Sequence, residues 1–169
     1  EVITQLPMMA IQAEGHSSDE LVRRVLDRSL DLVLLYEPPT TSELKSEKIG
    51  QLNLILASTQ QEASLKQALN DDYVYVDWGT AFSMFHAKKF GDQLATRMHV
   101  NLTRIALSFL EAKGGAAFFA ESTVADENWL YKVPKSPSFK RPIYVSYRQS
   151  NENIEKVSEV VEILRGITI

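Results

Sequence analysis

The chain contains no cysteine among its 169 residues. Disulfides, thiolate metal sites and a cysteine nucleophile are thereby excluded within it, and the absence fits a reducing cytoplasm. Histidine is scarce. His16, His86 and His99 lie far apart, none with the i, i+4 spacing of paired metal ligands, so each reads as a lone surface or loop imidazole. Positive charge is not in excess: 18 Lys and Arg stand against 22 Asp and Glu, for a net charge of −4. Neutralising nucleic-acid phosphates needs clustered cations, so these residues are not expected to bind nucleic acid by themselves. Lys88-Lys89 reads as a solvated helix face. No apolar run approaches the roughly 20 residues that span a bilayer, and no membrane partner is expected. Residues 1–7 have neither the basic start nor the apolar core of a secretory signal. They also lack an initiating Met, as expected of a fragment or a processed chain. A glycine-rich phosphate loop, a G-x-S-x-G elbow and a carboxylate pair suited to acid–base work are all missing. No catalytic centre, cofactor or metal is expected.

What is present is an ordinary globular composition, 44% hydrophobic and 24% charged, the size of one domain or two small hinged lobes. Residues 8–13 are mostly apolar and predict a strand. Ser17 opens a capping box with Glu20, and Leu21, Val22, Val25 and Leu26 form one face of the helix that follows. Residues 30–36 are almost continuously apolar, as suits a strand covered on both faces of a parallel sheet. Strand, helix and strand make a βαβ unit. Pro38 and Pro39 must leave the sheet.

Residues 44–50 read as a loop, 51–58 as a strand and 62–69 as a short helix closed by Asn70-Asp71-Asp72. Residues 73–77 form a strand, and Gly79 and Thr80 a turn and N-cap before a helix over 81–89. A short strand over 98–102 leads to Thr103, the expected N-cap of a helix with Ile105, Ala106, Leu107, Phe109 and Leu110 buried on most faces. Gly114-Gly115 ends that helix before a buried strand over 116–120. Short strands over 129–133 and 142–147 and a last helix over 152–164 complete the pattern. Strands alternate with helices, so the fold class is α/β. The chain crosses between lobes twice, giving lobe I from 1–58 plus 143–169 and lobe II from 59–142.

Glu14-Gly15 with Ser18-Asp19-Glu20-Leu21, then Leu30-Asp31-Leu32-Val33-Leu34, resembles the run E-G-x-S-x-E-L and L-D-L-A-L/I of the effector-binding domain of LysR-type transcriptional regulators. Residues 112–119 are similar to that family's A-G-x-G-I-A-x-L-P, although Lys113 stands at its usual first Gly and Ala120 at its usual Pro. Tyr73-Val74-Tyr75-Val76-Asp77-Trp78-Gly79 looks most like the HdfR-type branch. The resemblance covers nearly the whole chain. It implies two Rossmann-like lobes of the type 2 periplasmic-binding-protein kind, joined by a two-strand hinge, with a small effector held between them. It also implies homodimers or homotetramers, and DNA contact only through an N-terminal winged helix-turn-helix domain. That domain and the first strand-helix unit of lobe I have no counterpart in this sequence.

Ligands of open α/β sheets bind beyond the carboxyl ends of strands, which selects Tyr36 and Glu37 in lobe I. In lobe II it selects Trp78 and Gly79, then Asn101, Leu102 and Thr103. Ser17 and Ser18 head a helix whose free N–H groups and dipole attract anions. A solute-binding protein serving transport would share this architecture, and an enzyme on the same lobes has the least support because no nucleophile–base pair can be named.

Overall fold

The structure, a computed structural model, describes residues 2–70, 72–91, 94–150 and 153–166. It divides into two compact units. Unit 1 is Glu1–Gln51 with Pro142–Ile169, and unit 2 is Leu52–Arg141.

In unit 1 a short helix α1 (Val2–Gln5) precedes α2 (Ser18–Leu26), strand β1 (Leu32–Leu35) and the first part of β2 (Leu44–Ser58). Strand β7 (Phe139–Arg148) returns to it and leads to helix α7 (Ile154–Gly166). The start of the last helix expected at Glu152 lies outside the described residues. Helix α2 forms where the sequence signals it. Ser17 is its N-cap, with the hydroxyl accepting the Glu20 N–H at 3.4 Å. The reciprocal half of the expected capping box is replaced by ion pairs: the Glu20 carboxylate takes Arg23 and Arg24. These two guanidiniums, Arg23 foremost, hold the Glu20 pKa down at about 2. The apolar face of α2 packs Leu21, Val22 and Leu26 onto a core of Val25, Val33, Leu35 and Leu44.

Three expectations fail in this unit, each for want of, or because of, a neighbour. Residues 8–13 are irregular and not a strand; among the described residues no strand pairs with them, and an extended segment without a partner leaves its backbone groups unmatched. The βαβ unit is therefore not formed. Strand β1 instead pairs antiparallel with β7, Leu32 opposite Tyr147 through Leu35 opposite Tyr144, and it is not covered on both faces, since Leu34 is 47% exposed. Residues 44–50 are strand and not loop. Their polar composition concealed bonds to other elements: Ser46 Oγ to Ser146 Oγ at 2.8 Å and the Tyr147 hydroxyl donating to Glu47 at 2.5 Å. Glu47 also takes Lys45 at 2.9 Å and Arg165 at the end of α7.

In unit 2 the order along the chain is the rest of β2, α3 (Leu65–Ala68), β3 (Val74–Val76), α4 (Thr80–Phe90), β4 (Met98–Val100) and α5 (Thr103–Lys113). Then come β5 (Ala116–Ala120), α6 (Glu121–Asp126) and β6 (Tyr131–Lys132). Strand β5 pairs antiparallel with β2, Leu54 opposite Ala120 through Ser58 opposite Ala116. On its other side it meets β3 in a parallel bridge from Tyr73 to Ala116, and β3 is parallel to β4. The three parallel strands β4, β3 and β5 therefore end on one edge.

Helix α3 starts at a complete capping box in which the Ser64 hydroxyl accepts the Gln67 N–H and the Gln67 side chain accepts the Ser64 N–H. Its expected closure includes Asp71, which lies outside the described residues. Helix α6 and the shortening of the strand expected over 129–133 were not foreseen. Helix α5 packs on β3, β4 and β5 but buries only one face, with Ala106 and Leu110 inside and Ile105 46% exposed. The centre of the unit is aromatic: Phe82, Phe85, His86 and Phe90 of α4 gather round Phe118 of β5, with ring centroids 5.3 to 6.3 Å away.

Candidate functional site

The candidate site is the edge of unit 2 where β3 and β4 end. The Asp77 N–H donates to the Val100 carbonyl at 2.7 Å, so the segments after the two strands leave the sheet side by side. Alternation along β3 puts Val74 and Val76 inward, which sends Asp77 outward. One carboxylate oxygen of Asp77 accepts the Gly79 N–H at 2.8 Å. A shallow recess of about 300 Å³ opens here, lined by Asp77, His99, Val100, Asn101 and Ile105. The His99 ring stands edge-on to Tyr75, centroids 4.6 Å apart, and the same Tyr75 ring meets buried His86 at 5.1 Å.

Helices α4 and α5 both begin at this edge, and neither N-cap supplies a side-chain hydrogen bond. The expected caps shift by one residue. Gly79, not Thr80, caps α4, and Leu102, not Thr103, caps α5. Gly79 has φ +88°, and a Cβ placed on it would lie 2.4 Å from Nη2 of buried Arg141. The backbone angle therefore favours glycine there, and an added Cβ would also have to displace the guanidinium.

Of the residues selected from sequence, Gly79, Asn101, Leu102 and Thr103 lie along this edge, with Asn101 in the recess itself. Leu102 is exposed, and Thr103 opens α5. Trp78 sits between Asp77 and Gly79, but its side chain turns inward. It is 7% exposed, and its indole N–H donates to the Phe118 carbonyl at 3.0 Å. Ser17, Ser18, Tyr36 and Glu37 belong to unit 1: the serines at the head of α2, Tyr36 and Glu37 just past the end of β1. Asp77, His99 and Ile105 escaped sequence reasoning. Asp77 was legible as the outward residue of the alternating run that ends in Trp78-Gly79.

His86 is a further correction. It is not a surface or loop imidazole but 6% exposed, stacked on the Tyr73 ring at 17° and hydrogen-bonded through Nε2 to the Tyr73 hydroxyl at 2.9 Å. Burial pushes its pKa below the ordinary histidine value and that of Tyr73 above the ordinary tyrosine value. Among the described residues no group of three His, Asp or Glu side chains is placed to hold a metal ion, and no helix is long and apolar enough to cross a membrane.

The sequence profile of the LysR substrate binding domain matches residues 3–167. The HTH-type transcriptional regulator HdfR of Salmonella schwarzengrund is 25% identical over 163 residues, covering 95% of this chain and 56% of the relative. The chain thus spans little more than half the length of that relative. In three dimensions it is similar to the reduced regulatory domain of OxyR from Pseudomonas aeruginosa, with TM-score 0.74, 13% identity and coverage of 98% of this chain and 87% of that one. It is also similar to the Synechocystis PCC6803 CcmR regulatory domain in complex with 2-PG, with TM-score 0.66, 16% identity and coverage of 98% and 86%. These likenesses give a mixed α/β fold of the type 2 periplasmic-binding-protein kind, and the profile match over nearly the whole length establishes that the chain belongs to the LysR substrate-binding domain family.

Proposed function

We propose that the chain is the ligand-sensing part of a cytoplasmic LysR-type transcriptional regulator, and that it works by binding and not by catalysis. Its effector is a small molecule taken up where β3 and β4 of unit 2 end, with Asp77, His99 and Asn101 as polar contacts and Gly79, Leu102, Ile105 and Thr103 around them. Ser17, Ser18, Tyr36 and Glu37 are the corresponding candidates of unit 1. The two units are the two lobes of the fold, and β2 and β7 carry the chain from one to the other. DNA contact belongs to an N-terminal domain of the whole protein, which acts as a homodimer or homotetramer.

The observation that carries this reading is the family match over residues 3–167. It is joined by a recess at the carboxyl ends of parallel strands, where ligands of α/β sheets bind. Relatives that are transcriptional regulators favour it over the transport reading. A regulator needs an effector with unequal affinity for two states, typically a coupling of ~1–3 kcal/mol.

The test is a thermal-unfolding screen of the chain against a metabolite library. A ligand present at 100 times its Kd adds about 2.7 kcal/mol of stability. At least one compound should stabilise the chain, and the Asn101→Ala variant, altered at an exposed position, should lose the effect. A stabilising compound whose effect survives both Asn101→Ala and Asp77→Ala would defeat the placement of the site.

A further inference from the structure

We infer that the recess in unit 2 selects a cationic, amphipathic effector: an amine or other charged hydrogen-bond donor carried on an apolar body. This rests on the reading of that recess as the effector site. Asp77 is the one carboxylate or fixed charge among the five residues that line it. One of its oxygens is held by the Gly79 N–H, which fixes the carboxylate at the mouth without using its remaining acceptor sites. Beside it stand His99, oriented by its edge-on contact with Tyr75, and Asn101. Both can share a donor group with Asp77.

The other wall is apolar. Ile105 lines the recess while 46% exposed, and Leu102, 57% exposed, precedes it by one turn at the start of α5. Aliphatic groups held in water beside a polar recess are the pattern of a ligand pocket that fixes one end by polar contacts and covers the other by burial.

The competing chemistry is an anion attracted to the starts of α4 and α5. At α4 one of those N–H groups is already taken from within, because the Asp77 carboxylate accepts the N–H of the N-cap residue Gly79. An incoming carboxylate would meet Asp77 as a like charge, and an ammonium would meet it as a partner.

The experiment is a nuclear magnetic resonance titration of the whole chain with n-hexylammonium and, separately, hexanoate, which share a body and differ in the sign of the head. The account expects hexylammonium to shift the signals of Asp77, His99 and the Ile105 methyl groups, with hexanoate binding more weakly. Asp77→Asn keeps an acceptor for Gly79 and should weaken hexylammonium about tenfold, the loss of one hydrogen bond to a charged group. Ile105→Ala, at an exposed position, should weaken both compounds. Hexanoate shifting the same signals as strongly, or an Asp77→Asn variant that binds the amine unchanged, would overturn the charge assignment and leave the effector site standing. Failure of both compounds to shift any of these signals would overturn the inference and the site together.

Discussion

Two glycine-to-alanine substitutions in unit 2 separate backbone strain from steric conflict, and their difference can be worked out in advance. Gly115, between α5 and β5, has φ +122°, and a Cβ there would lie 2.2 Å from the Asp72 carbonyl oxygen and 3.0 Å from Leu110 Cδ2. Gly91, at the end of α4, has φ +83°, and a Cβ there would meet nothing within 4 Å. Both positions have positive φ, and Gly91 with ψ 160° lies in a region essentially confined to glycine, so an L-residue there carries strain of ~1–3 kcal/mol. Both recover ~0.4–1 kcal/mol because alanine narrows the unfolded ensemble. Gly91→Ala should therefore cost about 1 kcal/mol. Gly115→Ala must in addition displace main chain at Asp72, and overpacking of that kind costs ~1–3 kcal/mol more, for a total of about 3 kcal/mol.

Urea denaturation reads the difference. With a slope of ~1–3 kcal/mol per molar urea for a small protein, Gly115→Ala should lower the midpoint by about 1–3 M and Gly91→Ala by about 0.3–1 M, a roughly threefold difference at any one slope. Equal midpoint shifts would refute the packing assigned to the junction between α5 and β5.

Other consequences follow from the same interior. Because burial depresses the His86 pKa, the unfolded chain binds the proton first as pH falls below the ordinary value of ~6.5. The histidine's contribution is therefore intact above that pH and declines below it, by at most ~1.4 kcal/mol per pH unit. His86→Phe should flatten the loss of stability between about pH 7.5 and 5.5, and an unchanged slope would refute the sealed imidazole. The carboxylates held low by their partners, Glu14, Glu20 and Glu47, act in a separate window below ~4.5. Trp78→Phe removes the bond to the Phe118 carbonyl and should cost ~1–2 kcal/mol by thermal unfolding; no loss would show that the indole N–H bond contributes nothing. Glu47→Gln weakens the joint acceptor of Lys45, Tyr147 and Arg165. It should lower stability by about 1 kcal/mol after solvent screening and speed amide exchange in the last turn of α7.

Much of unit 2 was legible because its signals are local. Gly114 closes α5 and the run over 116–120 is buried throughout; in unit 1 the Ser17 cap stands where its spacing places it. What was not legible depends on neighbours. Apolar residues 8–13 read as a strand but, among the described residues, find no strand to pair with. Polar residues 44–50 read as a loop but are drawn into β2 by Ser146 and Tyr147, about 100 positions away. The parallel βαβ reading failed because apolar composition in residues 30–36 cannot report that the partner strand, β7, runs antiparallel. For the site, the positions after β3 and β4 followed from strand ends alone. Trp78 was selected as a cleft residue, but its side chain is turned inward by the bond to the Phe118 carbonyl, and His99 gained meaning only when the register of β3 and β4 set it opposite Tyr75.

The most direct test of the account is amide hydrogen exchange of the chain with and without the strongest stabilising compound from the metabolite screen. The account predicts slowed exchange concentrated at residues 77–79 and 99–105, where β3 and β4 end. Protection that leaves both segments unchanged, while a compound demonstrably binds, would contradict it.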